Sequence, residues 1–217
     1  MSQDFIAISP RTPGQVRLVE SIRKNQVTLC QAGAGCGKSL LAIYEAVMFQ
    51  KQQLVRDIIY TRPLVQFEVL QGVGFVPGFA TAQEKLKPIM YPVIDNLQVF
   101  CSAGFMKYIV DKQKIEPMVC QDLRGRSLND TVLIVDEASS MIPKDIEMCL
   151  TRIGERSKII MLSDVRQKDS KAHFQDGFSD AFKRLEGLDG VGLVKMDFSD
   201  VQRGTGLCGE IQKRYCS

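Results

Sequence analysis

Tryptophan is absent, histidine occurs once (His173), and no two of the seven cysteines form a C-x-x-C pair. Cysteines 30, 36, 101, 120, 149, 208 and 216 therefore lack the spacing and the histidine partners that a zinc site needs. They read as reduced thiols, the pattern expected of a cytoplasmic protein. Long apolar runs are missing too: none approaches the roughly 20 residues of a membrane-spanning helix. The opening MSQDFIAISP carries an acid at position 4 and no extended apolar core, so no secretory signal is expected. Charge of one sign is in short supply. A net +3 is too little to announce a nucleic-acid binder, although it forbids nothing. With no tryptophan and five scattered tyrosines, no base-stacking motif stands out. The expectation is a soluble protein of the cytoplasm, with no membrane partner.

What is present is an ordinary globular composition, 45% hydrophobic and 24% charged over 217 residues. That length suits one domain over 1–217. Short β-branched or apolar runs predict strands at 27–31, 57–61, 115–120, 132–136, 158–163 and 191–198. Helical patterns fall at 14–24, 38–50, 83–100, 104–113, 143–153, 175–186 and 207–215. Phe178, Ala181, Phe182 and Leu185 recur at helical spacing and read as core. Alternating elements of these lengths argue for an α/β fold, a mainly parallel sheet covered by helices in three layers. Residues 62–82 break the pattern, with many Gly and Pro and no period; a loop so long is usually functional.

The segment CQAGAGCGKSLLAIYEA (30–46) reads as strand, tight turn, helix. It nearly spells the phosphate-binding loop G-x-x-x-x-G-K-[ST], with Ala32 where the first glycine belongs. Ala32, Gly33, Ala34, Gly35, Cys36 and Gly37 would present backbone N–H groups to phosphates at a helix N-terminus. Lys38 would bridge the β- and γ-phosphates and Ser39 would coordinate Mg²⁺. Alanine serves at position 32 if its φ stays negative. A turn that merely seats a helix on a sheet has no use for a lysine and serine at this spacing.

In TVLIVDEASS (131–140) a buried strand delivers Asp136 at its carboxyl end, where parallel sheets bind ligands. Asp136 there can hold Mg²⁺ and Glu137 can polarise an attacking water. Seen alone, two solvent-facing acids would be the plainer reading; the upstream loop favours hydrolysis. Two candidate strands separate Lys38 from Asp136, and a glutamate follows the aspartate, as in motor-type ATPases and unlike nucleotide kinases. In SKIIMLSDVRQKD (157–169) another strand runs out to Asp164 and Gln167, suited to orienting water or sensing the γ-phosphate, or else to an ordinary polar loop.

Taken in order, AGAGCGKS, YTRPLV (60–65), GFVPG (74–78), RGRSLND (124–130), VDEAS (135–139), LTRIGERSKIIMLSD (150–164) and DVQRG (200–204) resemble the PhoH family over nearly the whole chain. RGRSLND just before the acidic strand is the most specific of them. The resemblance implies a RecA-like P-loop ATPase related to superfamily 1 helicases, often described as a predicted RNA helicase, and short forms of this kind suit a phage origin. It implies nucleotide contacts at Lys38 and Ser39, the acidic pair Asp136 and Glu137, a G-D-x-x-Q element at Asp164 and Gln167, and an adenine-reading Gln15 in TPGQ. Ala32 and Ser163 depart from the family spelling, which bears on rate.

Helicases of this class place nucleotide between two RecA-like domains, one of which donates an arginine. With one such domain in 217 residues, the arginine must come from another copy. Head-to-tail contacts close rings, so a homo-oligomeric hexamer is expected, with Arg203 the first candidate finger and Arg152 and Arg62 next. Each is otherwise a surface arginine in an ion pair. Arg124, Arg126, Arg152, Arg156, Lys158, Arg166, Lys168 and Lys171 would line a pore gripping RNA or single-stranded DNA, or else serve nucleotide phosphates, subunit contacts or solvent. Cys36, beside Lys38 and a helix N-terminus, is expected to be an activated thiol or, more plainly, a small filler. Three functions stay open: a nucleic-acid-dependent ATPase, an ATP-binding switch or scaffold with slow hydrolysis, and a small-molecule kinase.

Overall fold

The computed structural model describes residues 4–63, 82–164 and 176–202. Six strands form one sheet: β1 (Val27–Gln31), β2 (Asp57–Arg62), β3 (Ile115–Val119), β4 (Thr131–Val135), β5 (Lys158–Ser163) and β6 (Val191–Lys195). Their order is β3-β2-β4-β5-β1-β6 and every pairing is parallel. All six predicted strands are present. Cys120 instead opens a 3-10 turn, Asp136 lies one residue past β4, and residues 196–198 lie beyond β6.

The strands were legible because parallel strands are buried on both faces and so read as continuous apolar runs. Alternation then divides them. Ile58, Tyr60, Ile134, Ile160 and Leu162 face one layer, while Ile59, Leu133, Val135, Ile159 and Met161 face the other. The first layer is made by α1 (Pro13–Lys24), α2 (Lys38–Lys51), α3 (Ala82–Phe100) and α4 (Ala103–Asp111), through Leu18, Ile22, Leu41, Val93, Leu97 and Ile109. The second is made by α5 (Pro143–Leu150) and α6 (Gly177–Arg184), with Ile146, Phe178 and Ala181 buried and Phe182 and Leu185 partly so. Three layers result, as the sequence pattern predicts. The expected helix 207–215 lies outside the described residues, as does most of the 62–82 segment.

β5 inserts between β1 and β4. The strand feeding the phosphate loop and the strand feeding Asp136 are therefore one strand apart, the inserted-strand arrangement expected of motor-type ATPases. Among the described residues no helix is long and apolar enough to cross a membrane.

The amino-terminal ends of β4 and β5 are tied by the RGRSLND segment. Leu128 N–H donates to Arg152 O at 2.9 Å, and Asp130 N–H to Glu155 O at 2.9 Å. The buried Ser157 hydroxyl donates to Leu128 O at 2.6 Å and accepts from Thr131 N–H at 3.0 Å. Asn129 Oδ1 accepts from Glu155 N–H at 2.9 Å, and Arg156 forks onto the Asp130 carboxylate. The most distinctive motif of the sequence is thus a clasp at the end of the sheet away from the phosphate loop.

Candidate active site

At the carboxyl ends of the strands the chain builds a cleft of about 680 Å³ lined by the phosphate loop, Lys38, Ser39, Arg62, Asp136, Glu137, Asp164 and one side of α3. The loop needs left-handed backbone: Gly35 has φ +80° and Gly37, capping α2, has φ +76°. A side chain at either position would be strained. Ala32 is not among the residues of positive φ, which is why alanine is tolerated there. It is fully buried, and its N–H donates to Ser163 O at 3.0 Å. The two departures from the family spelling therefore meet across β1 and β5.

Lys38 is 9% exposed; its Nζ donates to Gly33 O at 3.2 Å and lies 3.9 Å from Asp164 Oδ2. Ser39 Oγ donates to Asp136 Oδ2 at 2.8 Å. Tyr60, wholly buried on β2, donates its hydroxyl to the same oxygen at 2.7 Å. Burial first, and then the Asp136 carboxylate, push the Tyr60 phenol well above its ordinary range, so it stays a donor. The other oxygen, Asp136 Oδ1, accepts from Glu137 N–H at 3.0 Å. Tyr60 escaped the sequence reading: only its place next to the end of an apolar strand hinted at a polar task.

Glu137 adopts φ 59° and ψ 36°, a left-handed conformation that costs a non-glycine residue roughly 1–2 kcal/mol. Its carboxylate forms an ion pair with Arg62, the last residue of β2. The ladder explains the meeting. Thr61 is level with Val135, and Asp136 N–H donates to Thr61 O at 3.0 Å, so Arg62 emerges beside the acidic pair.

Beneath the loop lies a second group of contacts. Gln15 is buried, its amide oxygen accepting from Arg11 N–H at 2.7 Å and its amide nitrogen donating to Cys36 O at 2.9 Å. Asp200 is 2% exposed and accepts from Gly14 N–H at 2.9 Å and Asp197 N–H at 3.0 Å. The carboxylate sits at the start of α1, where the helix dipole favours an anion. It is so close that a Cβ on Gly14 would overlap it. Gln202 N–H then donates to Gly35 O at 2.9 Å. The TPGQ and DVQ segments thus clamp the loop between them, a role for Asp200 that the sequence did not signal.

Several expectations are corrected or displaced. Cys36 is fully buried, with its Sγ 3.9 Å from Asp197 O. Burial raises its thiol pKa more than Lys38 lowers it, so the activated-thiol reading gives way to the small filler. Of the basic residues expected around a pore, Arg126, Arg152, Arg156 and Lys158 lie at the clasp end of the sheet. Lys158 is half-buried and caps α1, donating to Arg23 O at 3.1 Å and Asn25 O at 2.7 Å. Arg156 pairs with Asp130, and Arg152 reaches Arg126 O at 3.4 Å, beside the clasp. Gln167, Arg203, Arg166, Lys168 and Lys171 lie outside the described residues.

The cleft lining sets Lys38 and Arg62 against Asp95, Asp136, Glu137 and Asp164. Acids in that excess repel a polyphosphate, and a cation bound beside it would offset the repulsion. Ser39 Oγ and Asp136 Oδ2 supply adjacent hard oxygen donors, the kind that suit Mg²⁺. Residues fitted to the ion are therefore in place.

A family model described as PhoH-like protein matches residues 7–216. The PhoH-like protein of Bacillus subtilis (strain 168) is 34% identical over 197 residues, covering 91% of this chain and 60% of that protein. Protein PhoH of Escherichia coli (strain K12) is 32% identical over 216 residues, 99% of this chain and again 60% of the relative. The chain thus spans about 60% of the length of these curated relatives. Among solved structures, the large terminase of a thermophilic bacteriophage aligns with a TM-score of 0.54 at 11% identity, over 95% of this chain and 50% of that one. A form of that terminase in complex with ADP aligns at 0.51. Likeness at that identity carries the fold, a RecA-like P-loop sheet, and no more. The family match extends from the clasp to the cleft, and on it the chain belongs to the PhoH family.

Proposed function

We propose that the chain is a Mg²⁺-dependent ATPase working as one domain over residues 1–217. The observation that carries this is the meeting of Ser39 Oγ and Asp136 Oδ2 at 2.8 Å in a cleft that also holds Lys38, Glu137 and Arg62. Lys38 and the loop N–H groups bind the β- and γ-phosphates. Ser39 and Asp136 hold Mg²⁺, which when bound offsets the charge of the phosphate oxygens. Tyr60 fixes the Asp136 carboxylate, and Asp164 keeps Lys38 aimed across the loop. Glu137 takes the proton of the attacking water. Gln15, which braces the loop at Cys36 O, is assigned the adenine edge, and Gln167 the orientation of the water. The ADP complex of the terminase, a protein of the same fold, supports nucleotide as the ligand.

The finer reading couples turnover to RNA or single-stranded DNA in a homo-oligomeric ring, a hexamer in which Arg203 of one copy serves the next. Its support is the family resemblance and the inserted-strand topology shared with motor ATPases. The test is phosphate release with and without single-stranded RNA or DNA, beside Lys38→Ala and Glu137→Gln. Stimulation lost in both variants supports a motor. A second reading, an ATP-binding switch with slow hydrolysis, is favoured by the Arg62–Glu137 pair, because a base engaged by an arginine turns over slowly. Turnover indifferent to polynucleotide would select it. Phosphoryl transfer to a small acceptor instead of water would select the kinase.

A further inference from the structure

Arg62 was expected, if functional at all, to serve a neighbouring copy. The sheet places it elsewhere. Arg62 follows the Thr61–Val135 pair of the β2–β4 ladder, and its guanidinium is turned to Glu137 of the same chain. Lys38, Ser39, Asp136 and Glu137 line the same cleft. The Arg62 Nε is buried and finds no hydrogen-bond partner among the described residues. A guanidinium carries five donors in a rigid fork, so the pair with Glu137 leaves several unspent. A buried donor left idle is costly, and the fork matches phosphate as well as carboxylate.

We propose that Arg62 is a catalytic arginine of its own chain, exchanging Glu137 for the γ-phosphate of bound ATP. The inference rests on the ATPase reading above and adds to it a cis-acting cation and a gate on the base. A γ-phosphate bears more charge than a carboxylate and draws the guanidinium away, and Glu137 is then released to the water. In the step itself, the water oxygen bonds to the γ-phosphorus and the bond to the β,γ-bridging oxygen breaks. Its electron pair stays on ADP, and the water proton passes to Glu137 and then to solvent. Arg62 offsets the negative charge on the transferring group without changing protonation. The left-handed turn at Glu137 fits this exchange. Its backbone is pinned by Asp136 Oδ1 on one side, while its carbonyl accepts from the Ser140 hydroxyl at 3.2 Å. Only the side chain is then left to move. Arg62 and Arg203 are thereby separated in role, one acting within the chain and the other on the next copy.

The experiment compares the unaltered protein with Arg62→Ala and Arg62→Lys in phosphate release, and in binding of ATP, ADP and ADP with aluminium fluoride. Arg62→Ala is expected to cut kcat roughly 10³-fold, the scale of a catalytic arginine. ATP and ADP binding should stay within a few-fold, while the tighter hold on the fluoride complex disappears. Arg62→Lys, which keeps the charge and loses the fork, should recover part of both. Mixing Arg62→Ala with Lys38→Ala subunits decides the direction of action. If Arg62 works within its chain, the mixture stays as slow as Arg62→Ala alone. Recovered turnover in the mixture would overturn the assignment, because the arginine would then be serving a neighbour's loop. Normal turnover by Arg62→Ala would overturn it as well. Failure of the unaltered protein to hydrolyse ATP would instead remove the ATPase reading on which the inference stands.

Discussion

At the amino-terminal ends of β4 and β5, the Ser157 hydroxyl, the Asn129 amide oxygen and the Asp130 carboxylate each have partners within the chain. At the carboxyl end Ser39 and Tyr60 share Asp136 Oδ2 and Lys38 rests on a loop carbonyl. Left-handed backbone and a guanidinium Nε without a partner among the described residues occur at both ends, at Glu137 and Arg62 here and at Asp130, Arg156 and Arg152 at the clasp. Both ends are polar and both lie in segments that mark the family. The difference is that the clasp groups bond to one another across β4 and β5, whereas the groups at the other end line a cleft of about 680 Å³.

The comparison breaks most visibly at the cleft. Lys38→Ala should abolish ATP binding and turnover, followed by nucleotide titration and phosphate release, while the melting temperature stays near that of the unaltered protein. Glu137→Gln should retain ATP and lose turnover by roughly 10²–10⁴-fold, the range of a general base. At the clasp the signs reverse. Ser157→Ala removes the acceptor of a buried N–H and should cost about 1–3 kcal/mol in denaturant unfolding, with turnover nearly unchanged. A clasp variant that stopped turnover at full stability would erase the distinction.

Tyr60→Phe sharpens it, because Tyr60 belongs to both accounts: it sits in the core and holds Asp136. About 1 kcal/mol of stability and a several-fold fall in turnover are expected, the latter read as a raised Mg²⁺ requirement. The smallest effect is at the exposed Arg156–Asp130 pair. Arg156 holds the Asp130 carboxyl below its ordinary range. A depressed carboxylate pKa stabilises the fold above the unfolded value, near pH 4, and the contribution fades as pH falls through the folded value. Arg156→Ala should therefore lower the melting temperature slightly at neutral pH and not at all in strong acid, as thermal melts across pH would register.

Much of this was legible in the sequence, and the reasons are physical. The strands declare themselves because burial on both faces demands unbroken apolar runs, and the phosphate loop because its lysine, serine and glycines sit at fixed offsets. Contacts across the sheet are another matter. Tyr60 meets Asp136 76 positions away, and Gly14 meets Asp200 at a separation of 186. No local period encodes either. RGRSLND stood out as the most specific mark of the family, but its partners in the segment leading into β5 became visible only in the folded chain. Arg62 was read as a candidate finger or an arginine in an ion pair, and its partner, Glu137, is set by the β2–β4 register, visible only in the folded chain. For Cys36 the plainer of two readings, a small filler, is the one that burial supports.

On the proposed reading, the carboxyl end of the sheet hydrolyses ATP through Glu137. Steady-state phosphate release from ATP and Mg²⁺ by the unaltered protein and by Glu137→Gln, at matched melting temperatures, tests it most directly. Measurable release is expected from the first and at least roughly a hundredfold less from the second, with ATP bound by both. Equal rates, or bound ATP that the unaltered protein never cleaves, would contradict it.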